Sequence, residues 1–368
     1  MKHTSLLFLA PALFIASYAH ATTPHAYANA ITAHNIATLQ HSITHTAFDS
    51  FEGSMAATLN ENKPGKTIPT PDKDKKSPYQ TYGRAPMYGH AATYGEYNDD
   101  GSAGRSGGDK YNTDASLNNI WFAYEHISDD VKIDDFTTLD SNQDLGIMGL
   151  SGGHSKWGNG ITQWGIYTGY IGAHQRNNEI NIDSQGGFFG VYNGFSIDNF
   201  NLSTSIISGV LDNTATSTFG DDGYTNFWIS GIANATYSIH LDDTFTLQPG
   251  VQFAYTWIKA EDYTSVSGDT MKNDAFNMIE VSPTLRAIKH IGSGWYGSLN
   301  LKHIMIFANG GDLTINNSAM PELNIGDFTE YSLSLEKSIA NISLTANFGR
   351  RDGAHRGWIG GINLKVRF

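Results

Sequence analysis

The sequence predicts an all-β fold: a twelve-stranded antiparallel transmembrane β-barrel, preceded by an amphipathic N-terminal helix and a flexible linker. Three observations lead there. The chain opens on a secretion signal, its C-terminal two-thirds alternate apolar and polar residues with a period of two, and its final strand has one apolar and one polar face and stops on a phenylalanine.

The signal comes first in the chain. Lys2, an apolar run over 6–15, and Ala19 and Ala21 on either side of His20 form a basic n-region, an h-region and an A-x-A site. Cleavage is expected near Ala21, leaving a mature chain that begins near Thr22. No later stretch reaches the roughly 18 uninterrupted apolar residues of a spanning helix, so any membrane crossing falls to strands. Cys is 0, which removes disulfides, thiolate metal sites and cysteine nucleophiles from a chain bound for an oxidising compartment. With 23 basic and 36 acidic residues, the formal charge of -13 argues against a nucleic-acid partner, because phosphate binding depends on clustered Lys and Arg. Apolar content of 40%, 39 glycines and 12% aromatics suit a barrel, half of whose strand positions face water. A secreted β-sandwich shares that composition, so patterning has to decide.

After the signal (1–21) the chain divides in three. Over 22–60, Ile31, Ile36, Leu39, Ile43, Ala47, Phe51, Met55 and Leu59 recur every three to five residues, the period of one amphipathic helix. About 35 residues at 1.5 Å each outreach the roughly 25 Å apolar band of a barrel, so a helix plugging the lumen and a helix packing elsewhere both stand. The linker at 61–117 begins with Pro64, Pro69, Pro71 and Pro78 among lysines and continues into a Gly- and Tyr-rich stretch. From residue 118 to 368 the period is two.

Strands are expected at 118–126, 143–154, 161–174, 178–193, 199–211, 224–239, 244–260, 274–289, 294–307, 326–336, 341–350 and 357–368. Links read as long and polar at 128–142, 212–223, 261–273 and 308–325, with shorter ones at 175–177 and 351–356, and as tight at 155–160, 194–198, 240–243, 290–293 and 337–340. Long and short links fall mostly on opposite ends, as loops and periplasmic turns do in outer-membrane barrels. Trp121, Trp157, Trp164, Trp228, Trp257, Trp295 and Trp358 sit near strand ends, where aromatic girdles lie.

Alternation assigns faces. Trp358, Ile362, Leu364, Val366 and Phe368 share the lipid face of the last strand and form its assembly signal, with Val366 standing where an aromatic residue would be more typical. Glu280, Arg286, Lys302, Glu336, Lys365 and Arg367 are the lumen-lining candidates, since Arg or Lys facing lipid at the midplane costs about 2–4 kcal/mol. They either brace the wall through salt bridges or line a polar path.

Other motifs carry little. Gly149, Ser151 and Gly153 satisfy G-x-S-x-G but lie inside a strand, not at a strand–turn–helix elbow. Gly292, Gly294 and Gly297 match G-x-G-x-x-G with no helix to follow, which suits a hairpin turn. His34, His41 and His45 share a helical face, for which ordinary polarity is sufficient explanation. Asp129, Asp130, Asp134, Asp135 and Asp140 read as a solvated acidic loop. No catalytic set emerges, so no enzyme activity, cofactor or metal is expected.

The chain resembles the autotransporter β-barrel domain, through Asn119 to Tyr124, Gly187 to Tyr192, Leu247 to Tyr255, and Gly357 to Gly361 leading to Phe368. The resemblance spans about 118–368. It implies a twelve-stranded Gram-negative outer-membrane barrel with a helix threaded through its lumen, inserted by the barrel-assembly machinery through the C-terminal strand and surrounded by outer-membrane lipid and lipopolysaccharide. Members normally carry a large passenger, whereas 22–117 holds no repeat that would build one. The expected function is translocation or display of a short N-terminal segment; a porin-like channel or a structural surface barrel is the alternative. No motif names a surface ligand.

Overall fold

The computed structural model describes ten helical positions between residues 28 and 48, together with residues 118–133, 137–157, 160–310, 313–319 and 326–368. The expected signal, the linker at 61–117, the helix positions Phe51, Met55 and Leu59, and His34, His41 and His45 lie outside the described residues.

Twelve long strands form a closed antiparallel barrel: β1 Asn119–Ile133, β2 Thr137–Trp157, β3 Gly160–Arg176, β4 Ile180–Ile197, β5 Phe200–Ser217, β6 Gly220–Tyr237, β7 Phe245–Ala260, β8 Phe276–Gly292, β9 Trp295–Gly310, β10 Phe328–Ile339, β11 Ile342–Gly353 and β12 His355–Arg367. Each strand pairs with its sequence neighbours, and β12 closes the sheet on β1 from Asn119↔Arg367 to Val131↔His355. Closure leaves no free edge in the barrel wall, the condition for a sheet to cross a lipid bilayer.

One end of the barrel carries both ends of the sheet and only short turns among the described residues. Ser293 and Gly294 at positive φ (51° and 74°) make the β8–β9 turn, where the glycine motif of 292–297 therefore serves as a hairpin. The other end carries the long loop 261–275 and, among the described residues, the segment 313–319. Their short strands Tyr263–Thr264, Thr270–Asn273, Leu313–Ile315 and Ser318–Ala319 pair into a separate four-stranded sheet.

Two expected long links prove to be strand. The β5–β6 ladder continues to Ser217↔Gly220 and the β1–β2 ladder to Ile133↔Thr137, so 212–217, 220–223 and most of 128–142 are paired backbone. Asp212, Thr214 and Thr216 occupy outward positions there. Above the apolar band the outward face meets water and turns polar while the inward face stays buried, so the hydropathy alternation loses its contrast while the hydrogen-bond ladder does not.

The barrel is inverted relative to a soluble protein. Its outward face is apolar and exposed, as at Ile206 (58%), Leu299 (62%) and Ile362 (57%). Exposed apolar surface on that scale calls for lipid. Trp164, Trp295 and Trp358 are exposed on this face, but Trp121 and Trp228 are fully buried and point inward, so those two do not belong to a girdle.

Candidate functional site

The lumen holds the functional chemistry, and its wall has two characters. On β1–β6, Trp121, Tyr167, Phe188, Tyr192 and Trp228 point inward and approach one another at centroid distances of 6.0–6.4 Å. Each ring lies over a glycine directly opposite on the neighbouring strand: Gly149 under Trp121, Gly190 under Tyr167, Gly169 under Phe188, Gly165 under Tyr192 and Gly209 under Trp228. A Cβ on Gly209 would sit 2.7 Å from the Trp228 ring, so only glycine allows the ring to lie flat. The Tyr167 hydroxyl meets Ser205 Oγ at 2.7 Å, and Tyr192 bonds to Ser151, the serine of the G-x-S-x-G match. That serine is thus buried in the wall.

On β7–β12 the wall is ionic. Arg351, fully buried, places Nη1 3.3 Å from Asp129 of β1 and Nε 3.3 Å from Glu330 of β10. His355 Nδ1 lies 2.8 Å from the same Asp129 carboxylate, and its ring packs at 4.6 Å from Phe328, which Arg351 also overlies. Asp129 is therefore a buried ionic partner, not part of a solvated loop. Lys302 Nζ donates to Gln252 Oε1 at 3.0 Å, and Lys302 and Arg351 both act electrostatically on Glu280. Buried charges persist only when paired in this way.

The described helical residues run down this lumen, all buried. Ile36, Leu39, Ile43, Ala47 and Phe48 belong to the same apolar cluster as the aromatic wall. Ala28 and Ile31 pack at the loop end with Val131, Ile180, Ala215 and Tyr224. Thr32 Oγ1 meets Tyr224 OH at 2.9 Å, and Tyr224 stacks at 5.6 Å on Tyr263 from the long loop, whose phenol burial pushes above its ordinary range. Midway, Gln40 and Thr256 exchange hydrogen bonds of 2.5 and 2.9 Å, and Arg351 Nη2 donates to Ser42 Oγ at 3.5 Å. Beside Phe48, a cavity of about 70 Å³ is lined by Asn234, Gln248, Arg286, Asn300, Lys302 and Glu330. A second, of about 20 Å³, lies between Ser42, Glu125, Glu330 and Asn347. Both are on the scale of ordered water.

The lumen candidates fall into two groups. Glu280, Arg286 and Lys302 meet the ionic wall and the cavity. Glu336, Lys365 and Arg367 also face inward, but at the turn end, where Glu336 and Arg367 flank Tyr296. Trp358, Ile362, Leu364, Val366 and Phe368 lie on the outward face of β12 and its end. Glu125, Asp129, Glu330, Arg351 and His355 are members that the sequence reading missed. The available signal was parity: Arg351 continues the inward positions 343, 345, 347 and 349 of β11.

This closed barrel with an occupied lumen matches known proteins. A family model described as the autotransporter beta-domain covers residues 130–355. The chain belongs to the autotransporter β-domain family. The transport unit of the autotransporter AIDA-I from Escherichia coli aligns at 16% identity over 68% of this chain and 90% of that one, with a TM-score of 0.61. The translocator domain of NalP from Neisseria meningitidis gives 11%, 68%, 89% and 0.59, and the beta domain of the Bordetella autotransporter BrkA gives 15%, 68%, 99% and 0.54. At such identities the likeness is one of fold. No curated protein matched the sequence. The autotransporter barrel resides in the Gram-negative outer membrane and is a translocator rather than an enzyme. By the rule that tight turns are periplasmic, its loop end faces outward from the cell.

Proposed function

We propose that this autotransporter barrel displays a short N-terminal segment at the cell surface and then keeps the 22–60 helix as a plug in its lumen. The observation that carries the reading is the helix direction: Ala28, Ile31 and Thr32 sit against the loop end, while Phe48 lies beside Gln248 and Thr236 toward the turn end. A chain threaded this way has its N-terminal side at the outer mouth. The domain boundaries at 21, 60 and 117, and cleavage near Ala21, belong to the same proposal. So do the absence of catalysis in the displayed segment, lipopolysaccharide around the outer rim, and insertion by the barrel-assembly machinery through Trp358, Ile362, Leu364, Val366 and Phe368.

The test is an epitope tag after Thr23, probed with protease on intact cells. Surface cleavage is expected, and a tag protected until the outer membrane is permeabilised would refute display. The channel alternative makes a different demand, steady single-channel conductance from the intact protein. The plug predicts conductance only after deletion of 26–60.

A further inference from the structure

On the outward face near the turn end, Lys289 of β8 and Lys337 of β10 stand on either side of β9, with backbones about 10 Å apart. Between them β9 places Trp295 opposite Lys337, and Gly297, which has no side chain, opposite Lys289. Lys337 Nζ lies 4.9 Å from the Trp295 ring centre and donates to the Ser293 carbonyl at 2.6 Å. Lys289 Nζ lies 5.7 Å from the Phe245 ring centre and donates to Thr244 Oγ1 at 2.6 Å. Both ammonium groups thus bend toward the turns and out of the apolar band, the posture of a lysine at a lipid–water boundary.

The wall recedes between them. A Cβ on Gly297 would meet only Ile291 Cδ1, at 3.4 Å. Around that notch stand some of the most exposed apolar side chains of the barrel, Ile291 (61%), Leu299 (62%) and Ile339 (65%). The outward positions of β8, β9 and β10 hold no carboxylate among the described residues. Asp242, in the β6–β7 turn, feels the charge of Lys289. The outward face of the opposite end, by contrast, carries Asp144, Asp183 and Asp212.

We propose that this face binds an anionic phospholipid of the inner leaflet, its phosphate at the turn-side edge above Ile291, drawn by Lys289 on the β7 side and Lys337 on the β9 side, and its acyl chains along Leu285, Leu299 and Leu335. The leaflet assignment rests on the orientation that puts the turns in the periplasm. Binding itself is tested without it, by native mass spectrometry of the folded full-length protein released from detergent with added phosphatidylglycerol or phosphatidylcholine. Wild type should retain phosphatidylglycerol preferentially. K289Q/K337Q should retain it roughly thirtyfold less. K289R/K337R should restore binding, K259Q should leave it unchanged, and far-UV circular dichroism should report an intact barrel in each variant. Equal retention by K289Q/K337Q, an equal loss in K259Q, or full displacement of the lipid by an equal concentration of inorganic phosphate would overturn the proposal. A protease experiment that reversed the barrel's orientation would move the lipid to the other leaflet and leave these measurements untouched.

Discussion

The two halves of the lumen wall hold one helix by different physics. β1–β6 offers rings laid on glycines, whose contact with Ile36, Leu39 and Ile43 is non-directional and tolerates sliding along the axis. β7–β12 offers point contacts, Gln40 with Thr256 and Ser42 with Arg351, each satisfied at only one height of the helix. A path that must pass a chain and then retain it gains from both: a smooth side along which apolar residues move, and a keyed side that sets where they stop.

The largest test of that contrast is Arg351. R351M leaves Glu330 without its guanidinium and Asp129 with His355 alone in a buried site, and should cost about 3–5 kcal/mol in denaturant unfolding of the detergent-folded barrel. Neutralising both carboxylates as well, in D129N/E330Q/R351M, should recover most of that loss. No loss in R351M would mean that the ionic wall is not keyed. Next in size, G209V pushes a side chain into the Trp228 ring and should cost about 1–3 kcal/mol, while G231V, where a Cβ meets nothing within 4 Å, should stay within about 1 kcal/mol. Comparable losses at the two glycines would remove the special status of the ring-bearing half. The smallest effect lies between the halves. Q40L or T256V alone should cost about 1 kcal/mol by leaving a buried partner unsatisfied, and Q40L/T256V should cost less than the sum of the two in a double-mutant cycle.

Much of the architecture was legible because a barrel in lipid makes alternation obligatory. All twelve expected strands correspond to the observed ones. What escaped reading lay beyond the reach of hydropathy. The ends of β5 and β6 rise past the membrane, where Asp212 and Asp222 both meet a polar setting and the pattern loses contrast while pairing continues. Arg351 and Asp129 were placed in links for the same reason, which hid a fully buried ionic contact of the lumen. Trp121 and Trp228 were misplaced because a tryptophan near a strand end is usually a girdle residue, and only the glycine opposite each reveals that it turns inward. Parity shows which face a residue occupies, not what stands across from it.

The pairing of rings with glycines also bears on how the strands find their partners. A slip of one residue exposes itself at once by turning the apolar face inward, but a slip of two keeps every face correct and goes unnoticed by lipid and water alike. The rings would notice. Shifted by two, Trp121 would face Ile147 or Ser151 instead of Gly149, and Trp228 would face Ile207 or Leu211 instead of Gly209, so a ring that lay flat would have to stand up into the path of the helix. The glycines of β2, β3, β4 and β5 thus work as a proofreading device, rejecting the one class of misalignment that the two-sided pattern of the strands cannot detect.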